Sequence, residues 1–540
     1  MERLTFKGNS RLDRITVIAL IAFFFLCSYF SLSDGCYWGD DYAAYISEGI
    51  AIAEGKLDVQ SALNTKMHPS PLPEEAVGKP LVYVWGYPLI LALVYSLAGF
   101  DRVGFTSVFF YKLPSVIAFA LFAAVLFLFL RRRFRYMLSL FLTVAFCSCA
   151  EFYAFFNTVY SDLYFMFFAL VSLYVTELYL VKSEHPRHEI LGILMGVSLW
   201  YMYEIRLNGI AILLSCILAH GISIIKENKF SRRESVLPEL LPYIVFFVLK
   251  SLSEALFASP TSNRSDFHGF SFSLFLTNLN IYCGLIQSFF SQLWSNLLIS
   301  PLYSVLRRLS DISYSDLNGL RAVLVWCGIA GSVLGMTVSG IRENLHLTLL
   351  VLVYIAAASM LPYTQGMRYI YPVLPVILLF FGYGIKFLSE KLRFDKNKTV
   401  NKLALIIASG MCVLCLYQLV SNDRKHTYAI PEKAGIVNVE DIYMQNAYSP
   451  EAVEVYNVIR SDTPEDCTLA FFAPRGLYLN TERFTIKPDV NGHSIDEADF
   501  YLDYRNTGEY NITPDLGNDF ETVFSNDEFI LYKRINSKEK

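Results

Sequence analysis

The sequence predicts an α-helical, polytopic membrane protein with a small α/β soluble domain at its C-terminal end, and three observations carry that expectation. First, 540 residues that are 54% hydrophobic, 15% aromatic and only 17% charged, with a mean hydropathy of +0.40, make too apolar a chain for an ordinary soluble multidomain protein. Second, the apolar residues gather into runs of roughly 20, the length a helix needs to cross a bilayer core. Third, the chain after residue 421 is polar and carries only short alternating runs.

Taken in order, the apolar runs number about eleven, at residues 15–34, 112–130, 138–156, 161–181, 189–204, 208–225, 238–257, 321–340, 345–361, 370–388 and 402–421. The first follows Arg3, Lys7, Arg11 and Arg14 and has no small-residue cleavage site, so it reads as an uncleaved helix rather than a signal peptide. Lys and Arg near helix ends favour the cytoplasmic side. Residues 131–135, 182–187, 226–233 and 386–402, together with Arg342, all fall on the side of the basic N-terminus. That parity places residues 35–111, 258–320 and the tail from 422 outside the cytoplasm, with Arg307 and Arg308 as one exception.

The net charge of −4 hides this alternation of basic segments with apolar runs, and nothing in the pattern suits nucleic acid. Most of the ten cysteines lie inside apolar runs, where they act as small hydrophobes, and no disulfide framework or zinc spacing emerges. No internal repeat is evident, which disfavours the inverted-repeat plan of many transporters. In the tail, "PEAVEVYNVIRSD" predicts a helix with Val453, Tyr456, Asn457 and Arg460 on one face. The runs "CTLAFFA", "DFYLDY", "ETVF" and "EFILYK" predict strands.

The chemistry-bearing stretch is "GDDYAAYISEGIAIAEG" in the first outer loop. Asp40 or Asp41 is placed to cap a helix whose Tyr42, Tyr45, Ile46, Ile50 and Ala53 recur at helical spacing, a helix expected to lie on the membrane surface with its apolar side down. Residues 78–99, "GKPLVYVWGYPLILALVYSLAG", add a second apolar segment within the same loop, and the next span opens with "YKLPSVIAFA" and ends at "RRRF".

This order of motifs resembles the GT-C membrane glycosyltransferases over roughly residues 10–390, in the branch of the protein O-mannosyltransferases and the lipid A aminoarabinose transferase. That family has an acidic pair followed by a tyrosine four residues after the aspartate. Here the spacing to Tyr45 starts from Asp41, so Asp41 is the match, with Asp40 the alternative from the acidic pair. Lys79, Pro80 and Tyr83 stand for the family's Lys-Pro-Pro and tyrosine segment, with Leu81 in place of the second proline.

The resemblance implies an inverting enzyme that takes a sugar from a polyprenyl-phosphate donor and passes it to an acceptor hydroxyl at the outer membrane face. A hydroxyl is a weak nucleophile, so a carboxylate, Asp41 or Asp40, would take its proton as the new bond forms. The departing lipid phosphate needs cations, and Lys79, Arg206 and Arg368 lie at the outer ends of helices. Asp162 falls where the family carries a second acidic residue, which would orient the acceptor or, in metal-using relatives, help hold a divalent ion such as Mg or Mn, with Glu204 and Tyr83 as further acceptor or metal candidates; helix capping is the competing reading for Asp162. Glu204, near the same level, needs a partner, with Arg206 or Lys79 as candidates, while Lys250 and Glu254 are spaced for an ion pair of their own.

The competing function is a transporter or flippase of lipid-linked sugars, which would need polar residues in mid-membrane. The acceptor is open among a glycolipid, a polysaccharide and a protein. The compact tail favours a bacterial inner membrane, and "CTLAFFAPRGLYLNTERF" is the segment expected to cover the site mouth.

Overall fold

The computed structural model describes residues 11–32, 35–36, 38, 40–67, 82–99, 105–156, 158–181, 188–226, 236–257, 271–307, 313–340, 344–361, 366–392, 406, 409–410, 413, 447–488, 494–505, 516 and 519–535. Its helices are α1 (Arg11–Phe30), α2 (Asp40–Glu54), α3 (Leu57–Met67), α4 (Gly86–Ala98), α5 (Phe105–Arg131), α6 (Tyr136–Cys147), α7 (Ala150–Phe155), α8 (Asp162–Val181), α9 (His188–Ile205), α10 (Gly209–Lys226), α11 (Val236–Leu256), α12 (Phe272–Trp294), α13 (Ser300–Leu306), α14 (Asn318–Gly335), α15 (Leu345–Ser359), α16 (Leu374–Lys391), α17 (Pro450–Asp462) and α18 (Pro474–Thr481). Among the described residues, Arg11–Phe30, Ser107–Arg131, Asp162–Leu180 and Tyr314–Gly340 are long and apolar enough to cross a membrane, and shorter apolar helices accompany them. The chain is a multi-pass membrane protein.

Helices fall on every expected apolar run except 402–421, most of which lies outside the described residues. One run and one expected loop depart from their expectation. The span expected over 138–156 breaks into α6 and α7. Ser148 at the break donates its hydroxyl to the Val144 carbonyl, and its own carbonyl accepts from Asn296 of a neighbouring helix. A helix can break at membrane depth only where the freed groups find such partners.

The second difference is a correction. The segment 258–320 is not merely a loop but carries α12, which runs through a π-helical turn at Ser295–Ile299 into α13. Polar residues dilute its apolar run, and the bundle satisfies them. Asn278 donates to the Leu361 carbonyl at 2.6 Å and Gln292 to Glu151 at 3.1 Å, while Tyr282, Leu285, Phe289, Phe290 and Leu293 are buried.

Close approach within the bundle relies on small residues, as expected where lipid removes the hydrophobic drive between helices. Gly331 and Gly335 of α14 cross Gly384 of α16, and a Cβ at Gly335 would overlap the Phe380 carbonyl oxygen. At the end of the bundle that carries the basic turn 131–135, Glu177 of α8 is buried against Arg133, which donates to it at 2.9 Å, and lies 3.1 Å from His346 of α15. Arg133 also donates to Asn344 at 3.0 Å, so one paired charge cluster ties α5, α8 and α15 together. Buried charges persist only when paired in this way.

The tail folds around a five-stranded sheet of β1 (Thr468–Ala470), β2 (Phe484–Ile486), β3 (Phe500–Tyr504), β4 (Phe520–Ser525) and β5 (Phe529–Arg534) in the order β2-β1-β3-β5-β4. The β2-β1-β3 half is parallel and the β3-β5-β4 half antiparallel. The helix expected over "PEAVEVYNVIRSD" is α17, capped by Ser449, but it buries Ala452, Val455, Tyr456 and Ile459. The face expected from Val453, Asn457 and Arg460 is therefore corrected by about one position. Asn457 and Arg460 bond each other at 2.5 Å on the exposed side.

The expected surface helix is also corrected. In α2 every residue from Tyr42 to Gly49 is buried, because α4 packs on one flank and α18 of the tail on another. Gly49 lies against Leu91 and Pro88 of α4, where a Cβ would meet the Leu91 side chain at 2.9 Å. Trp38, just before α2, is seated in the tail core with its ring 5.1 Å from Phe471, 5.8 Å from Phe472 and 6.0 Å from Phe529. The Ala447 N–H donates to the Cys36 carbonyl at 2.7 Å. The tail and the first loop thus share one core.

Candidate active site

The adjacent carboxylates that open α2 point to different partners. Successive helical residues differ by about 100° in direction, and the structure resolves the pair accordingly. Asp40 accepts from the Arg475 N–H at 3.0 Å and the Gly476 N–H at 3.2 Å, capping the first turn of α18. Burial raises its carboxyl pKa, and the Arg475 charge and these two N–H groups oppose that rise. Asp41 accepts from the Tyr83 hydroxyl at 2.6 Å, and its other oxygen lies 3.8 Å from Arg368. The Asp41 side chain is 36% exposed, whereas that of Asp162 is 2% exposed. Within the Asp40–Asp41 pair, Asp40 is committed to two backbone N–H groups, and the half-buried Asp41 is the carboxylate left to meet an incoming ligand.

Tyr83 is held by two contacts. Its ring stacks on Tyr45 at 4.1 Å, and Glu48, buried two helical turns along α2 from Asp41, accepts from the neighbouring Val82 N–H at 2.5 Å. Burial and the nearby Asp41 carboxylate push the Tyr83 hydroxyl well above its usual pKa, so it remains a donor to Asp41. Burial likewise raises Glu48 to about 8. The ordinary glutamate value is 4.5, so the stability that protonated Glu48 contributes is present below about pH 4.5 and is lost as the pH rises to about 8. Thermal unfolding in detergent across this window is expected to show a fall in Tm with rising pH, and Glu48→Gln is expected to flatten it. An unchanged slope in Glu48→Gln would assign the dependence elsewhere.

The cationic side of the site comes from two turns. Arg206, in the turn between α9 and α10, donates to Asp162 at 2.5 Å and to Ser161 at 3.4 Å. Ser161 in turn bonds the Tyr45 hydroxyl at 2.9 Å. Arg368, in the 3-10 turn Gly366–Ile370, lies 5.3 Å from the Tyr160 ring centre, and Tyr369 lies 6.0 Å from Arg368 and 5.8 Å from Arg206. Asp162 opens α8 and is paired to Arg206. Aromatic faces and one carboxylate each therefore hold both guanidinium groups in place.

Other expected residues fall elsewhere. Lys79 and Pro80 lie outside the described residues. The expected pairing of Glu204 with Arg206 is not what the structure has, since Glu204 accepts from Ser253 at 2.7 Å and lies 3.8 Å from Lys250, and the alternative pairing with Lys79 falls outside the described residues. Lys250 also bonds Glu254 at 2.8 Å, so this is a separate group on α9 and α11. Among the described residues no group of three His, Cys, Asp or Glu side chains could hold a metal, and Asp162 is already committed to Arg206.

Several residues of the site carry no pattern that singles them out in the sequence, among them Ser161, Tyr369 and Arg475, and Glu48 joins them only in the structure. Glu48 alone carried a signal, since it stands two helical turns after Asp41 in an otherwise apolar stretch.

This bundle, with its acidic helix before the second long span and its appended tail, has the GT-C fold. Two solved structures of the ArnT protein from Cupriavidus metallidurans match nearly the whole chain. The one bound to undecaprenyl phosphate has a TM-score of 0.56 at 10% identity and covers 97% of this chain and 98% of that one. The apo structure has a TM-score of 0.55 at 12% identity, over 96% and 98%. The oligosaccharyltransferase of Archaeoglobus fulgidus in complex with Zn and sulfate matches with a TM-score of 0.54 at 12% identity, covering 90% of this chain and 68% of that one. No sequence-family description matches the chain, and no curated protein does.

Proposed function

We propose that this protein is a glycosyltransferase that moves a sugar from a polyprenyl-phosphate donor to an acceptor hydroxyl at the extracytoplasmic face of a bacterial inner membrane. The observation that carries this reading is the opposition of a half-open carboxylate, Asp41, to a fixed guanidinium, Arg368, 3.8 Å away. Asp41 takes the proton of the acceptor hydroxyl while the hydroxyl oxygen attacks the anomeric carbon from the face opposite the phosphate, inverting that centre. The bond from carbon to phosphate oxygen breaks, and the phosphate leaves with its charge met by Arg368 and Arg206, with Lys79 as a further candidate.

The bound undecaprenyl phosphate in the ArnT structure supports a lipid-phosphate ligand for this fold. The gathering of Asp41, Arg206, Arg368 and Asp162 at one end of the bundle favours transfer chemistry over passage of a sugar through the membrane. A glycolipid or glycan acceptor is favoured over protein. Mass spectrometry of cell-envelope glycolipids and glycans after deletion of the gene identifies the acceptor by the species that loses a sugar. In the purified enzyme Arg368→Gln is expected to lower kcat/KM for the donor by about a hundredfold, the scale of losing one charge-stabilising donor. Full activity in the Arg206→Gln, Arg368→Gln double variant would contradict the phosphate assignment.

A further inference from the structure

The cations of the site differ in how they are partnered. Arg206 is paired to Asp162, and Arg368 leans toward Asp41 and two tyrosine rings. Arg475 of α18 is different. Among the described residues its side chain makes no hydrogen bond and no ion pair, and its Nε–H is buried without a partner. A buried guanidinium donor left unmet costs about 1–3 kcal/mol or more, and such a group in a folded protein calls for an explanation.

The position of Arg475 supplies one. Its main-chain N–H bonds to Asp40 at 3.0 Å, which fixes its backbone against the start of α2, one residue from Asp41. Its charge reaches Asp40, Glu48 and Tyr83, the residues on and beside α2 that frame the Asp41 carboxylate. The guanidinium therefore lies on the side of α18 that faces α2 and Tyr83.

We infer that Arg475 binds the phosphate of the lipid-linked substrate, so that the tail domain supplies a ligand-binding side chain to the site. The inference rests on the proposed function in one respect, that the site takes a phosphate-bearing lipid. A phosphate carries several strong acceptor oxygens. Arg368 and Arg206 meet it from the bundle, and Arg475 meets it from the tail with the donor that is otherwise unsatisfied.

The test uses the full-length protein in lipid nanodiscs, titrated in parallel with undecaprenyl phosphate and with uncharged undecaprenol. The wild type is expected to prefer the phosphate. Arg475→Gln is expected to weaken undecaprenyl phosphate binding by about tenfold to a hundredfold, the scale of one charged hydrogen bond, and to leave undecaprenol binding unchanged. Arg475→Lys is expected to recover part of the loss. Arg505→Gln, at an exposed tail position bonded to Ser525, is expected to behave as wild type. Because the tie to Asp40 runs through the main chain, Arg475→Gln keeps the tail docked and protease-resistant. Undiminished phosphate preference in Arg475→Gln, or a tail that becomes protease-sensitive in that variant, would overturn the inference and leave the proposed function standing. Absence of any phosphate preference in the wild type would overturn the proposed function itself.

Discussion

Replacing Asp41 by Asn is expected to cut sugar transfer by about a hundredfold to ten-thousandfold, the range a positioned general base contributes. The amide keeps an oxygen that accepts from Tyr83 at the 2.6 Å contact, so the fold and the position of α2 are retained. What the amide lacks is a lone pair basic enough to take the acceptor's proton. Asp40→Asn tests the other half of the pair. Its carboxylate faces the Arg475 and Gly476 N–H groups, and an asparagine oxygen accepts from both, so its loss of transfer is expected to stay within about tenfold. Initial transfer rates of the two single variants, measured beside their thermal unfolding, separate the roles. Equal losses in both would mean that neither carboxylate is the base by itself.

The second large effect is expected at Trp38. Its ring fills the tail core among Tyr456, Phe471, Phe472, Tyr504 and Phe529, all within 6.2 Å between ring centres. Truncation of a buried tryptophan costs about 3–5 kcal/mol through lost contacts and the cavity left behind. Here that cost falls on the seam between tail and first loop, because Trp38 enters the tail core from the loop. Trp38→Ala is therefore expected to make the tail sensitive to limited proteolysis while the membrane bundle keeps its own unfolding transition. It is also expected to lower transfer at least about tenfold, since Asp40 and Arg475 no longer hold the start of α2 in register with Arg368. A Trp38→Ala protein with a protected tail and full activity would show that the seam plays no part in placing Asp41.

How much of this was legible in the sequence follows from which forces act locally. Long apolar runs and basic turns report the bilayer directly, which is why the spans and the α/β tail could be read without coordinates. The α12 helix was not, because Asn278 and Gln292 lower its apolar character and only their partners, Leu361 and Glu151 in other helices, make them compatible with the bundle. The α17 helix was placed with its bounds, yet its buried face was misread by a residue. A 100° step per residue leaves a mixed sequence such as "AVEVYNVI" compatible with adjacent faces, and tertiary packing decides between them.

The site shows the same division. The acidic pair, Arg206, Arg368, Asp162 and Tyr83 could be named from residue type and family resemblance, and the structure brings these together apart from Asp40. The spacing to Tyr45 pointed to Asp41 and the acidic pair to Asp40, and what distinguishes them in the structure is α18, whose Arg475 N–H engages Asp40 across a chain separation of 435. Arg475 lies in the segment expected to cover the site mouth, yet nothing in "APRGLYLNT" singles it out or signals that its backbone docks on Asp40. Glu204 was assigned a partner by proximity in sequence to Arg206, whereas the helix turns its side chain toward Ser253 and Lys250.

The central claim is that Asp41 serves transfer from a lipid-phosphate donor, and the most direct measurement is turnover in detergent, where no transport across a membrane can occur. Purified protein is incubated with a sugar-labelled polyprenyl phosphate and an acceptor extract of cell-envelope glycolipids, and label is followed from donor to acceptor. Label passing to acceptor in the wild type and not in Asp41→Asn is the result predicted. Label that stays on the donor in the wild type, or passes equally well in Asp41→Asn, would contradict it.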